Sequence, residues 1–286
     1  MKRWGLIILV CAVSMQVSAS AYRREMTNFF AVEVGAGYQA LLTSSNTVKP
    51  GEGAAVNLGV GYRYANRMLL LHIGLEGQFC YMTGRLGDWQ DSTMIMDQSG
   101  LRLTRFGQMY QRREAYRMAN LAIPVEAGCD FGPVYFLAGI KPAIAVWGDA
   151  RAEAHVNSWS EYHGVLPGTQ DNIFVQSNAG AYEPMKWKLQ LLAHLEVGGP
   201  IRLPNQTSQS ALRLKWSIWA DCGILNAYSP DQQKETATME APYLDATVLP
   251  TVKYNTNINS RPLAVGAKIT LLIGLRQRKT CVCLGY

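Results

Sequence analysis

The chain has 286 residues, 48% of them hydrophobic, with 27 Lys and Arg against 21 Asp and Glu for a formal charge of +6. The excess is mild and its basic residues are spread along the chain, which argues against a nucleic-acid partner. Of six cysteines, Cys80, Cys129, Cys222, Cys281 and Cys283 fall beyond residue 19, an odd set that excludes a simple disulfide framework.

Met1-Lys2-Arg3 precedes an uncharged run from Trp4 to Val13, and small residues follow at Val17-Ser18-Ala19 and Ala19-Ser20-Ala21. This is the layout of a secretory signal peptide, residues 1–19, cleaved after Ala19 or Ala21. Removing it leaves 25 basic and 21 acidic residues. No later stretch approaches the roughly 18 uninterrupted apolar residues of a spanning helix.

Period-two alternation predicts eight strands. The first sets Phe30, Val32, Val34, Ala36 and Tyr38 against Glu33, Gly35, Gly37 and Gln39. The second sets Val56, Leu58, Val60, Tyr62 and Tyr64 against Asn57, Gly59, Gly61 and Arg63. In the third, Leu69, Leu71, Ile73, Leu75, Phe79 and Tyr81 oppose His72, Gly74, Glu76 and Gln78. The fourth spans about 117 to 129, with Leu121, Ile123 and Val125 on one face and Asn120, Pro124 and Glu126 on the other. The fifth runs from Val134 to Val146 with Lys141 on its polar face; the sixth carries Lys186, Lys188, Gln190, His194 and Glu196 there. The seventh presents Arg213, Lys215, Ser217, Trp219 and Asp221, and the eighth Lys268 and Thr270.

Connections between these strands alternate between short and long. Ala65-Asn66-Arg67 and Asp130 to Pro133 are tight, whereas Met82–Tyr116, Gly148–Met185 and Gly223–Pro262 are read as long loops. Sorting of loops by parity, clean apolar faces, many inward glycines and aromatics near strand ends together predict a membrane barrel. The predicted fold is all-β: an eight-stranded antiparallel up-and-down transmembrane β-barrel over residues 28–276, with long extracellular loops and short periplasmic turns. It would sit in the outer membrane of a Gram-negative bacterium, with both termini in the periplasm and residues 277–286 as a periplasmic C-terminal tail.

Leu121-Ala122-Ile123-Pro124-Val125, the short turn, and Tyr135-Phe136-Leu137-Ala138-Gly139 resemble the mark of the Bacteroidetes-type outer-membrane β-barrel family, OmpA-like barrels of the porin-like superfamily. The G-x-G pairs Gly35/Gly37 and Gly59/Gly61 are similar too. The resemblance implies an integral outer-membrane protein that serves envelope integrity or surface binding; some relatives are accessory barrels of outer-membrane secretion systems.

Eight strands enclose just enough space for side chains. Glu33, Arg63, His72, Glu76, Glu126, Lys141, Lys188, His194, Glu196, Arg213, Lys215, Asp221 and Lys268 are therefore expected to form a buried network, because such charges tolerate burial only when paired. Lys141, on the adjacent strand, is the expected partner of Glu126. The alternative is a narrow small-solute or ion channel, biased towards anions by the basic excess. Arg102, Arg105, Arg112 and Arg113 form a basic loop suited to lipopolysaccharide phosphates or acidic glycans. Outer-membrane lipid and lipopolysaccharide, and the barrel assembly machinery during biogenesis, are the expected partners of a monomer. No catalytic residue, cofactor or metal is expected. His194 and Glu196 lack a nucleophile beside them, and His155 with His163 supply too few ligands for zinc.

Overall fold

The structure is a computed structural model that describes residues 28–44, 48–66, 68–96, 100, 102–162, 170–179, 182–185, 189–201, 212–226, 237–240, 245–255 and 258–275. The predicted signal peptide, the tail 277–286, Lys186, Lys188, His163, Cys281 and Cys283 lie outside the described residues.

Strands β1 (Asn28–Thr43), β2 (Val48–Asn66) and β3 (Leu69–Leu86) are followed by β4 (Trp89–Met96), β5 (Arg102–Ala122), β6 (Val125–Asp130) and β7 (Tyr135–Tyr162). Then come β8 (Gln170–Ala179), β9 (Glu183–Pro184), β10 (Gln190–Ile201), β11 (Leu212–Gly223), the hairpin β12 (Ala237–Glu240) and β13 (Asp245–Val248), the single turn of helix α1 (Thr251–Tyr254) and β14 (Ser260–Gly274). All strand pairs are antiparallel. The ring runs β1, β2, β3, β5 with β6, β7, β10, β11, β14 and closes on β1. This is the predicted eight-stranded barrel. Closure leaves no unpaired sheet edge around it, the condition for crossing hydrocarbon with strands.

Alternation decides which way each strand faces. On β3, Leu69, Leu71, Ile73, Leu75, Phe79 and Tyr81 point outward and exposed, while Leu70, His72, Glu76, Gln78, Cys80 and Met82 are buried inside. The other strands repeat this, so one continuous apolar belt surrounds the barrel. Trp147 stacks on Phe79 at its upper rim. The narrow lumen explains the paired glycines. Gly61 lies opposite Gly74, and a Cβ at Gly61 would stand 2.7 Å from His72 Cε1. Gly37 lies opposite Gly266, where a Cβ would stand 2.7 Å from the buried Trp219 ring.

Two expectations change. The fourth predicted strand is two strands, broken at Ile123-Pro124, because Pro124 has no N–H for the ladder. Its carbonyl still accepts from Gly74 N–H at 3.1 Å, and Ile123 N–H donates to Pro142 at 2.9 Å. The long loops are also largely strand. β3, β5 and β7 run on past the belt as a collar, with β4 added to β5 and β8 to β7. The Gly223–Pro262 connection supplies α1 and a hairpin. The short turns after β2 and β6 lie at the opposite end, beside Asn28 and Gly274.

Candidate functional site

The lumen is stratified. At the short-turn end, Phe29, Ala31, Ala65, Leu70, Tyr135, Leu137 and Leu272 form an apolar layer. At the other end, Leu41, Val48, Ala55, Cys80, Met82, Tyr116, Met118, Ala150, Met185 and Ile258 form a second. Between them lies a fully buried charged layer.

Strand register sets who meets whom in that layer. Arg63 Nη2 donates to Glu33 Oε1 at 3.0 Å, and Lys268 Nζ donates to Glu33 Oε2 at 3.0 Å. Lys268 Nζ also lies 2.6 Å from Glu196 Oε2, while Tyr135 OH donates to Glu196 Oε1 at 2.5 Å. Lys141 Nζ bridges Glu76 Oε2 at 3.1 Å and Asp221 Oδ2 at 3.3 Å, and Asn57 Nδ2 donates to Glu76 at 3.2 Å. Arg63 Nε donates to His72 Nδ1 at 3.5 Å, which fixes that nitrogen as an acceptor. Lys215 pairs with Asp130 at 3.0 Å below the main cluster and lies 4.3 Å from the centre of the Tyr135 ring.

The expected Glu126–Lys141 pair is not formed. Register places Glu126 level with Gly139, and Gly139 level with His194 on β10. Because Gly139 has no side chain, Glu126 and His194 meet across it, with Nε2 3.3 Å from Oε1. A Cβ at Gly139 would in any case lie 2.1 Å from the Val125 carbonyl. Lys141 sits two residues further along β7 and turns to Glu76 and Asp221 instead. His194 Nδ1 makes a short hydrogen bond to Asp221 Oδ1.

Arg213 is half-buried, with its guanidinium 5.0 Å from the Phe29 ring centre. Three lumenal contributors escaped the sequence reading: Tyr135, Asp130 and Asn57 in its partnership with Glu76. Tyr135 was legible, since its neighbours Val134 and Phe136 alternate outward.

The basic loop is strand β5. Arg102 and Arg113 are exposed, Arg105 is half-buried, and Arg112 is buried with Nη1 3.5 Å from the Gly87 carbonyl. A bulge with Gln111 at a positive φ of 51° separates these faces, so the four do not form one patch. His155 stacks on Tyr110.

Above the upper apolar layer, α1 caps the barrel mouth. Thr251 N–H donates to Glu114 Oε1 at 2.6 Å, and Tyr116 OH donates to the other oxygen. Burial pushes the Glu114 carboxyl above its ordinary range despite those donors. Lys253 Nζ and Tyr254 OH both reach Glu183 Oε2, at 2.7 and 2.6 Å. Burial opposes the Lys253 charge, but Glu183 outweighs it and holds the ammonium above its usual range.

No protein-family model and no curated relative matches the sequence. Among solved structures the chain is similar to Neisserial surface protein A (10% identity, 85% of this chain and 96% of that one, TM-score 0.29). It is also similar to Ail, the attachment invasion locus protein of Yersinia pestis (10%, 86% and 99%, TM-score 0.25), and to the translocator domain of autotransporter NalP from Neisseria meningitidis (7%, 93% and 93%, TM-score 0.21). These neighbours are bacterial outer-membrane barrel proteins.

Proposed function

We propose that this is a sealed, non-enzymatic barrel of the bacterial outer membrane, of the Bacteroidetes type, that serves envelope integrity and surface binding through its collar. The observation that supports it is the stratified lumen: among the described residues a buried charged layer lies between two apolar clusters, with α1 above them. The apolar belt suits hydrocarbon, and the short-turn end with both termini is assigned to the periplasm. Exposed Arg102 and Arg113 on the collar, with Arg85 level with Arg113 on β3, suit phosphates of neighbouring lipopolysaccharide. The barrel assembly machinery would insert the chain, which would act as a monomer.

Planar-bilayer recording of the refolded chain tests the seal: current at background is expected, and steady unitary conductance would overturn it. Binding to lipopolysaccharide micelles tests the collar. Double substitution of Arg85 and Arg113 by Ala, or removal of the phosphates from the lipopolysaccharide, is expected to weaken binding several-fold. Unchanged binding in both would sink the collar reading.

A further inference from the structure

The central lumen is short of positive charge. Among the described residues its buried carboxylates are Glu33, Glu76, Glu126, Glu196 and Asp221, and its Lys and Arg partners are Arg63, Lys141 and Lys268. Among the described residues five acids thus face three permanent cations, a formal deficit of two. A buried charge without a partner is costly unless a counter-charge is held beside it. His72 does not supply it: its Nδ1 accepts from Arg63, so it stands as a neutral imidazole.

The deficit is centred on one point. Glu126 contacts no Lys or Arg, and neither of its oxygens accepts a hydrogen bond among the described residues. His194 Nε2 makes none either, though it lies 3.3 Å from Glu126 Oε1 and 3.7 Å from Glu196 Oε2. Nδ1 of the same ring lies against Asp221 Oδ1, so Nε2 faces the two carboxylates. Among the described residues, the ring nitrogen, both Glu126 oxygens and Glu196 Oε2 converge there with no hydrogen bond to hold them. Side chains of Glu126, His194 and Glu196 bring one ligand atom each to within 4.8 Å of one another. Tetrahedral coordination at about 2.0–2.2 Å sets ligand atoms roughly 3.3 Å apart, close to two of the edges seen here.

We propose that Glu126, His194 and Glu196 bind one first-row divalent metal ion, with Zn2+ the natural occupant, inside the barrel. One imidazole and two carboxylates are a donor set that zinc accepts. Asp221 on Nδ1 is the outer carboxylate that orients a ligating histidine, and Lys268 holds the ligating oxygen of Glu196 at 2.6 Å. Two positive charges cancel the deficit. Gly139 leaves the opening through which Glu126 reaches the site. Because apolar layers close both ends, the ion is loaded as the barrel folds and leaves slowly afterwards.

The test uses the untagged full chain, refolded from urea into detergent with Zn2+ present, desalted, and assayed for bound metal by mass spectrometry. One Zn2+ per folded chain is expected, with slow loss to chelator; zinc added only after metal-free folding should bind far more slowly. Mg2+, which favours all-oxygen octahedral sites, should not be retained. Glu126→Gln and His194→Gln should reduce bound zinc to background, and Asp221→Asn should weaken it about 10–100-fold. Heat-modifiable gel migration reports whether each variant folds. Should the ligand variants fail to fold, Co2+ in the wild-type chain decides: the intense visible absorption of a four-coordinate site supports the proposal, and its absence overturns it. No stoichiometric zinc in folded wild type, or zinc retained by folded Glu126→Gln, also overturns it.

Discussion

The membrane belt and the collar are built from the same continuous strands, yet they are chemical inversions of each other. Along β3 the outward side chains are Leu71, Ile73, Leu75, Phe79 and Tyr81, then Thr83 and Arg85. Down β5 they are Arg113, Ala115 and Arg117, then Ala119 and Leu121. The interior switches in the opposite sense. Ion pairs fill the barrel at the level of the belt, whereas Met109, Ala152, Ala154, Val156 and Ala237 fill the collar. The strand period never changes across the boundary. What changes is the solvent outside: lipid takes the apolar face and forces polar groups inward, and water does the reverse. Arg117, paired to Asp149 and set against Trp147 and Tyr182, marks the crossing on β5.

The comparison can be broken first at the interior. Lys268→Met removes the ammonium shared by Glu33 and Glu196 and leaves buried carboxylates under-compensated, at a cost of about 3–5 kcal/mol. Lys253→Met in the cap, where the Glu183 partner is partly solvated, should cost no more than about 1 kcal/mol. Urea-dependent folding in lipid vesicles measures both. Equal costs would mean that the lumen is wet and the layers do not seal it.

The outer faces give the next effect. Leu75→Arg puts a guanidinium in the middle of the belt and should cost about 2–4 kcal/mol. Met94→Arg, on the exposed β4 of the collar, should change stability by no more than about 0.5 kcal/mol. A large penalty at Met94 would extend the lipid belt over the collar.

The sequence exposed the belt more fully than the collar, for a physical reason. Alternation of apolar and polar residues has its full contrast where one face meets lipid, so all eight barrel strands and their outward residues were readable. Where both faces become mixed, as in Arg102–Tyr116, the same period is masked and strands read as loops. Lumenal membership was also legible: Glu33, Arg63, Glu76, Glu126, His194, Glu196 and Lys268 all face inward, as alternation requires. Partnership was not. It depends on the stagger between strands, which brings Glu126 level with Gly139 and His194 and carries Lys141 past it. Adjacent strands in sequence therefore gave the wrong partner for Glu126. The apolar layer nearer the collar was missed because Leu41, Met82, Tyr116 and Met118 lie just beyond or at the ends of the predicted strands.

The smallest effect tests the cap, where the collar meets the sealed barrel. Glu114 is buried, and its carboxyl is raised above an ordinary value near 4.5. The folded state thus holds the Glu114 proton more tightly than the unfolded chain does, so protonation favours the closed cap. That contribution is fully present below the ordinary value and is lost as pH rises through the raised one. Hydrogen-exchange protection of the Thr251–Tyr254 amides, corrected for intrinsic rates, should accordingly be highest in acid and decline towards neutrality. Thr251 should respond most, since its N–H donates directly to Glu114. Glu114→Gln, neutral at every pH, should flatten the profile while leaving the belt strands' protection unchanged. Protection that instead rises with pH would mean that the ionised carboxylate is the better acceptor for Thr251, with burial the weaker influence.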